Sequence, residues 1–213
     1  MSGAIIGEDT PRTMTVMTTA LENETALGRA HQPRGLAALL VVGGLIGLIA
    51  SFILTLDKLE LLRNPDYVPA CDLGSIVSCS NVMKSSQSEV FGFMNPLLGL
   101  VGFTIVITLG VVLFARVDLP EWIWAGMQIG TIAGLVMIHW LAFESLYRIG
   151  ALCPYCMVAW SVTLPIFFYV TLRNLRAWIP GSPLTGFLRD WHALILALWF
   201  LAFAAAIFFR FFA

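Results

Sequence analysis

Apolar residues run along this chain in long uninterrupted blocks rather than with the short periods of a soluble domain. Leu36–Leu56, Pro96–Ala115 and Pro154–Leu172 contain no charged side chain. Trp122–Phe143 carries only Gln128 and His139 as strongly polar groups, and Ala193–Phe209 is aliphatic and aromatic throughout. A bilayer core about 30 Å thick is crossed by roughly 20 residues of helix. Backbone polar groups in lipid must be satisfied internally, so each block predicts a transmembrane helix. The expected fold is all-α and integral to a membrane, with five spans. The first span follows a 35-residue polar leader and is too long for a signal-peptide core.

Between the blocks the chain is polar. Residues 1–35 are rich in Thr, Glu, Gly and Ala and are expected to be a disordered cytoplasmic tail. The longest loop, 57–95, holds Cys71 and Cys79. Loops 116–121 and 144–153 are short, and 173–192 is rich in Pro, Gly and Arg.

Composition agrees with this reading. Of 213 residues 59% are hydrophobic and 12% charged, against about 45–50% and about 25% in soluble domains. That excludes a soluble enzyme and a disordered chain. A formal net charge of −1 argues against nucleic-acid binding, which usually needs a basic face. Seven of the twelve Lys and Arg residues fall in the segments that are internal when the N-terminus is cytoplasmic. The positive-inside rule then favours N-in and C-out. All four cysteines come to the outer, oxidising side, where disulfides persist. Gly43 and Gly47, and Gly126, Gly130 and Gly134, form small-residue ridges suited to close helix contact in lipid. Trp122, Trp124, Trp140, Tyr147, Trp178 and Trp191 fall near span ends, where an interfacial aromatic belt is expected.

Chemistry concentrates at Cys153-Pro154-Tyr155-Cys156. Pro suits the first helical position, which puts Cys153 at the N-cap and Cys156 one turn in. Thiols at the positive end of a helix ionise more easily, and Cys-X-X-Cys pairs there are reactive. A static disulfide or a zinc half-site is the alternative, although Cys71-X7-Cys79 is wide for a zinc knuckle. Haem attachment fails because Met157, not His, follows Cys156. Asn95 before Pro96 also fits an N-cap, and Ser85 fits a loop-helix end. Asp72 either hydrogen-bonds within the loop or is solvated. His139 and Glu144 are ionisable groups in or near a span, where function is the default hypothesis. Glu144 has Arg148 at i+4, and His139 can bond across helices.

Cys71-Asp72-Leu73-Gly74-Ser75-Ile76-Val77-Ser78-Cys79-Ser80, with Val82, Ser85, Phe91-Gly92, Asn95, Gly99 and the Cys-X-X-Cys pair, resembles the vitamin K epoxide reductase (VKOR) family. The similarity covers roughly residues 36–175. It implies a four-helix bundle around a quinone pocket, here with a fifth helix in 176–213. Bacterial members of the family are DsbB-like: they reoxidise a thioredoxin-like, DsbA-like protein and pass its electrons to quinone, the route that keeps the bacterial periplasm oxidising. Because the chain ends at Ala213 after its fifth span, that partner is expected to be a separate protein.

By the same resemblance, Cys71 and Cys79 are the shuttle pair. Cys153 receives electrons from it, and Cys156 faces the quinone and forms a transient adduct with it. Ser85, Asn95 and Trp160 stand at family positions near the quinone; Trp160 replaces a Tyr of animal members. Menaquinone, ubiquinone and vitamin K-like quinones all remain open, and no metal is expected. The expected location is a bacterial plasma membrane. Vitamin K or epoxide reduction in an ER membrane, and a non-catalytic scaffold with structural disulfides, are the rival readings.

Overall fold

The computed structural model describes residues 34–212. The predicted tail lies almost wholly outside them. Long helices dominate: α1 (Arg34–Arg63), α3 (Pro96–Phe114), α4 (Glu121–Phe143), α5 (Pro154–Trp178) and α7 (His192–Phe211). Two short ones, α2 (Cys79–Lys84) and α6 (Pro183–Asp190), lie in loops. A 3-10 turn covers Ser86–Glu89, and α4 runs on through a π-helical turn at Glu144–Ile149. No strand occurs among the described residues, only an isolated parallel bridge between Val77 and Leu152.

All five long helices are apolar enough to cross a membrane. The protein is an all-α, multi-pass membrane protein. Its spans fall where the hydropathy placed them, but α1 outruns its apolar block. At 1.5 Å per residue its 30 residues extend about 45 Å, so the polar stretch from Asp57 to Arg63 continues as helix beyond the lipid core. Hydropathy marks where a helix leaves the hydrocarbon, not where it unwinds.

Helix α1 packs along both α3 and α5, and α4 packs along the far side of α5. Glycine makes the α1–α3 contact possible. A Cβ on Gly47 would lie 2.4 Å from the Phe103 ring, and one on Gly110 would lie 3.0 Å from the Val41 backbone nitrogen. Gly43 faces Ile166 of α5 at 3.3 Å. The α4 ridge departs from expectation: nothing stands within 4 Å of a Cβ built at Gly126 or Gly130, and Gly134 meets only Thr163, at 3.6 Å. Polar side chains join α4 to α5 instead. Gln128 donates to Thr171 (2.9 Å), and Asn174 donates to the Gln128 side chain (3.0 Å) and the Trp124 carbonyl (3.2 Å). Such bonds hold helices together in lipid without close backbone approach.

At the end opposite the cysteines, Leu36, Leu40, Phe103, Leu113, Trp124, Met127, Ile166 and Val170 form one core cluster. Trp124 is 2% exposed. It lies under the Arg173 guanidinium (3.9 Å) as part of the core rather than of an interfacial belt. Glu121 pairs with Arg173 (2.9 Å) and accepts from the Trp178 indole (2.9 Å) at the same end.

Candidate functional site

Both sulfur pairs sit at one end of the bundle, and local sequence explains how each is held. Ser78 caps α2, its hydroxyl accepting from the Asn81 N–H at 3.2 Å, so Cys79 opens that helix. Pro154 opens α5 with Cys153 at the N-cap, as the Cys-Pro-Tyr-Cys order predicts. The two starts are tied through backbone: Leu152 N–H donates to the Ile76 carbonyl (2.8 Å), and Ser78 N–H donates to the Leu152 carbonyl (3.0 Å). This clasp sets Cys79 Sγ 3.3 Å from Cys153 Sγ.

Cys71 and Cys79 are joined as a disulfide, while Cys153 and Cys156 are free thiols. Cys71, Cys79 and Cys153 are 5%, 0% and 1% exposed. They share a core cluster with Leu54, Leu61 and Met83, against which Cys156, Tyr67, Val82 and Tyr155 pack. The Cys153 thiol is held below the usual thiol range. A hydrogen bond with the Cys156 side chain and bonds with the Cys156 and Tyr155 backbone outweigh burial, which pushes the other way. The start of α5 also favours a thiolate there.

Lys58 fixes the loop from below. Nearly buried at 7% exposure, it donates to the Met83 carbonyl (2.5 Å) and Ser88 hydroxyl (3.0 Å) and pairs with Glu89 (2.9 Å). By hydropathy this lysine falls in the 57–95 loop with no role of its own. Lys58 is one of four charges, with Asp57, Glu60 and Arg63, that follow the first apolar block, and nothing local singles it out or names partners 25 to 31 residues away. Asp72 is not simply solvated: its carboxylate accepts from the Ser80 N–H (3.0 Å) and the Ser80 hydroxyl. Burial pushes the Asp72 carboxyl up, yet hydrogen bonds from Ser80, Ser78 and the Cys79 backbone win and hold it below the usual range.

Of the residues singled out beyond the cysteines, Ser85 ends α2 and donates to the Val82 carbonyl at 2.7 Å. Asn95 makes no side-chain cap. Its amide donates to the Gln87 carbonyl (2.6 Å) and accepts from the Val90 N–H (3.2 Å), cinching the 87–95 loop. Both thus spend polar groups on loop backbone. Trp160 is 5% exposed and belongs to a third cluster with Ile138, Ala142 and Leu164. Cys156 packs on that cluster too, so it touches a sulfur-lined region and an aromatic one. A flat, fat-soluble quinone ring fits such apolar surroundings beside a thiol. His139 bonds across helices, accepting from the Trp199 indole at 3.0 Å. Glu144, 2% exposed, pairs with Arg148 at 3.5 Å, and its second carboxylate oxygen has no hydrogen-bond partner.

Two cysteine pairs within exchange distance at one end of a transmembrane bundle define a thiol–disulfide membrane protein. The model of the vitamin K epoxide reductase family matches residues 38–171, more than half of the chain, and the protein belongs to that family of membrane oxidoreductases. No curated protein matched the chain. The match ends within α5, so α7 lies beyond it.

Proposed function

We propose that the protein is a thiol:quinone oxidoreductase that reoxidises a separate thioredoxin-like, DsbA-like partner and so sustains disulfide formation. The observation that carries this reading is the 3.3 Å separation of Cys79 and Cys153, one sulfur from each pair. Exchange needs a thiolate in reach of a disulfide sulfur, and here the backbone clasp of Ile76, Ser78 and Leu152 supplies that reach.

A partner thiolate attacks Cys71, the less buried of the loop pair, and Cys79 leaves as thiolate. The second partner thiol resolves that mixed disulfide; the partner departs oxidised and the loop holds two thiols. Cys79 thiolate then attacks Cys153 of the oxidised helix pair and expels Cys156 thiolate. Cys71 attacks Cys79, restoring the loop disulfide and releasing Cys153. The resulting arrangement, loop disulfide beside helix dithiol, is the one in the structure. A bound quinone would supply a sink for two electrons and two protons, the number that Cys153 and Cys156 give up on closing their disulfide. Cys156 and Trp160 would hold its ring, and Ser85 and Asn95 would assist through the loop they brace.

We place the chain in a bacterial plasma membrane with the N-terminus cytoplasmic and the cysteine end outside. The basic-residue bias supports that orientation, as does disulfide chemistry in an oxidising compartment.

The test mixes purified protein, a quinone and a reduced thioredoxin-like protein and follows quinol formation. Turnover that stops in Cys156→Ser supports the assignment. Parental turnover in that variant, or none in the parent with any quinone, overturns it.

A further inference from the structure

The fifth helix is the largest element that the family match leaves unexplained. Most of α7 is exposed, yet its Trp199 and Phe203 turn inward onto the cluster of Ile138, Ala142, Trp160 and Leu164. Cys156 packs on the same cluster. The aromatic centroids form a continuous run: Trp160 to Phe203 is 6.1 Å, Phe203 to His139 is 5.2 Å, and His139 to Trp199 is 5.5 Å.

His139 fixes this run through both ring nitrogens. Its Nδ1 lies 2.8 Å from the Leu135 carbonyl, which can only accept, so Nδ1 carries the proton. Its Nε2 therefore accepts from the Trp199 indole N–H at 3.0 Å. A second tie holds the helix at the cysteine end, where Arg210 Nε donates to the Leu146 carbonyl at 2.9 Å. Thus α7 is docked at two points on the half of the bundle that holds Cys156.

We propose that α7 forms one wall of the site where a quinone ring meets Cys156, with Phe203 the contacting side chain and Trp199, oriented by His139, the positioning residue behind it. This rests on the reading of Cys156 given above. The other cluster around Cys156 holds the three remaining sulfurs, Cys71, Cys79 and Cys153, packed among Leu54, Leu61 and Met83. The aromatic cluster is the one suited to a conjugated ring, which gains from offset or edge contact with aromatic neighbours. The quinone specificity of this chain is then set partly by a helix outside the family's matched region.

The test uses the full chain in lipid nanodiscs, photolabelled with a short-chain azidoquinone and mapped by mass spectrometry. Label on the α7 segment containing Trp199 and Phe203, removed by excess unlabelled quinone, is the expected result. Phe203→Ala should raise KM for that quinone about three- to tenfold while dithiol–disulfide exchange at the loop, measured without quinone, keeps its rate. Phe203→Tyr should restore most of the loss. Competable label confined to residues 36–175 would overturn the inference, and labelling of the parent decides the matter even where Phe203→Ala fails to fold. Loss of turnover in Cys156→Ser with α7 unlabelled defeats this inference alone. Full turnover in Cys156→Ser defeats the functional reading beneath it.

Discussion

The loop pair and the helix pair are held by different physics. Beyond the Ser78 cap and the backbone clasp at Leu152, Cys71 and Cys79 depend on side-chain hydrogen bonds that gather a polar loop, from Lys58 to Met83 and Ser88, from Ser80 to Asp72, and from Asn95 to Gln87. Cys153 and Cys156 depend on a helix start, where Pro154 and the amide ladder fix the positions of both sulfurs. The first arrangement can be loosened one bond at a time; the second resists such changes. That difference suits the roles proposed for the two pairs, a shuttle that meets a soluble protein and a terminal that stays beside the lipid.

The largest effect should come from cutting the junction between them. Cys79→Ser or Cys153→Ser should lower partner-driven quinone reduction by about three orders of magnitude or more, with helical content by circular dichroism unchanged. Next comes the loop's anchor. Lys58→Met removes three polar contacts and should slow transfer from the loop to the helix pair about ten- to hundredfold, read by stopped-flow mixing with reduced partner. Helix-pair chemistry probed directly with a small dithiol should be nearly unaffected. Equal loss in both assays would erase the distinction between the two arms.

Acidity separates the arms more finely. Because Cys153 is held below the usual thiol range, its alkylation rate should rise with pH and level off earlier than that of a free cysteine. Cys156→Ala removes the first cause of that shift and should move the plateau upward. Asp72 is shifted in the same direction, in the acid range. Its depressed carboxyl contributes stability that is present above the unfolded value, near pH 4, and is lost as pH falls through the lower folded value. The ratio of phosphine reduction rates of the loop disulfide, parent over Asp72→Asn, should therefore rise in strong acid, the protonation of the phosphine cancelling between the two.

Much of this was legible beforehand. The five spans follow from uncharged blocks, because lipid forces a near-binary choice on each segment. The placing of Cys153 and Cys156 at the start of α5 follows from Pro after the first cysteine. The partners of those elements did not follow. Helical spacing marks Gly43 and Gly47 as a ridge and marks Gly126 and Gly130 equally well, yet only the first is covered by another helix. A ridge reports what can approach, not what does. This contrast gives the smallest predicted effects. Gly110→Ala, which would press on Val41 backbone, should cost about 1–3 kcal/mol, while Gly126→Ala should be neutral or stabilise by up to about 1 kcal/mol; thermal unfolding in detergent measures both. Lys58 was hidden for a similar reason: its carbonyl and carboxylate partners are distant in sequence. Asn95 looked like a cap and instead ties a loop, because Pro96 already begins the helix without one.

The claim on which the mechanism rests is that Cys79 and Cys153 are the sulfurs that exchange. Its most direct measurement is the oxidation of a Cys71→Ser, Cys156→Ser double variant in lipid, followed by proteolysis and mass spectrometry under non-reducing conditions. A stoichiometric disulfide linking the Cys79 peptide to the Cys153 peptide is the predicted result. Two persistent free thiols in a folded protein would contradict it.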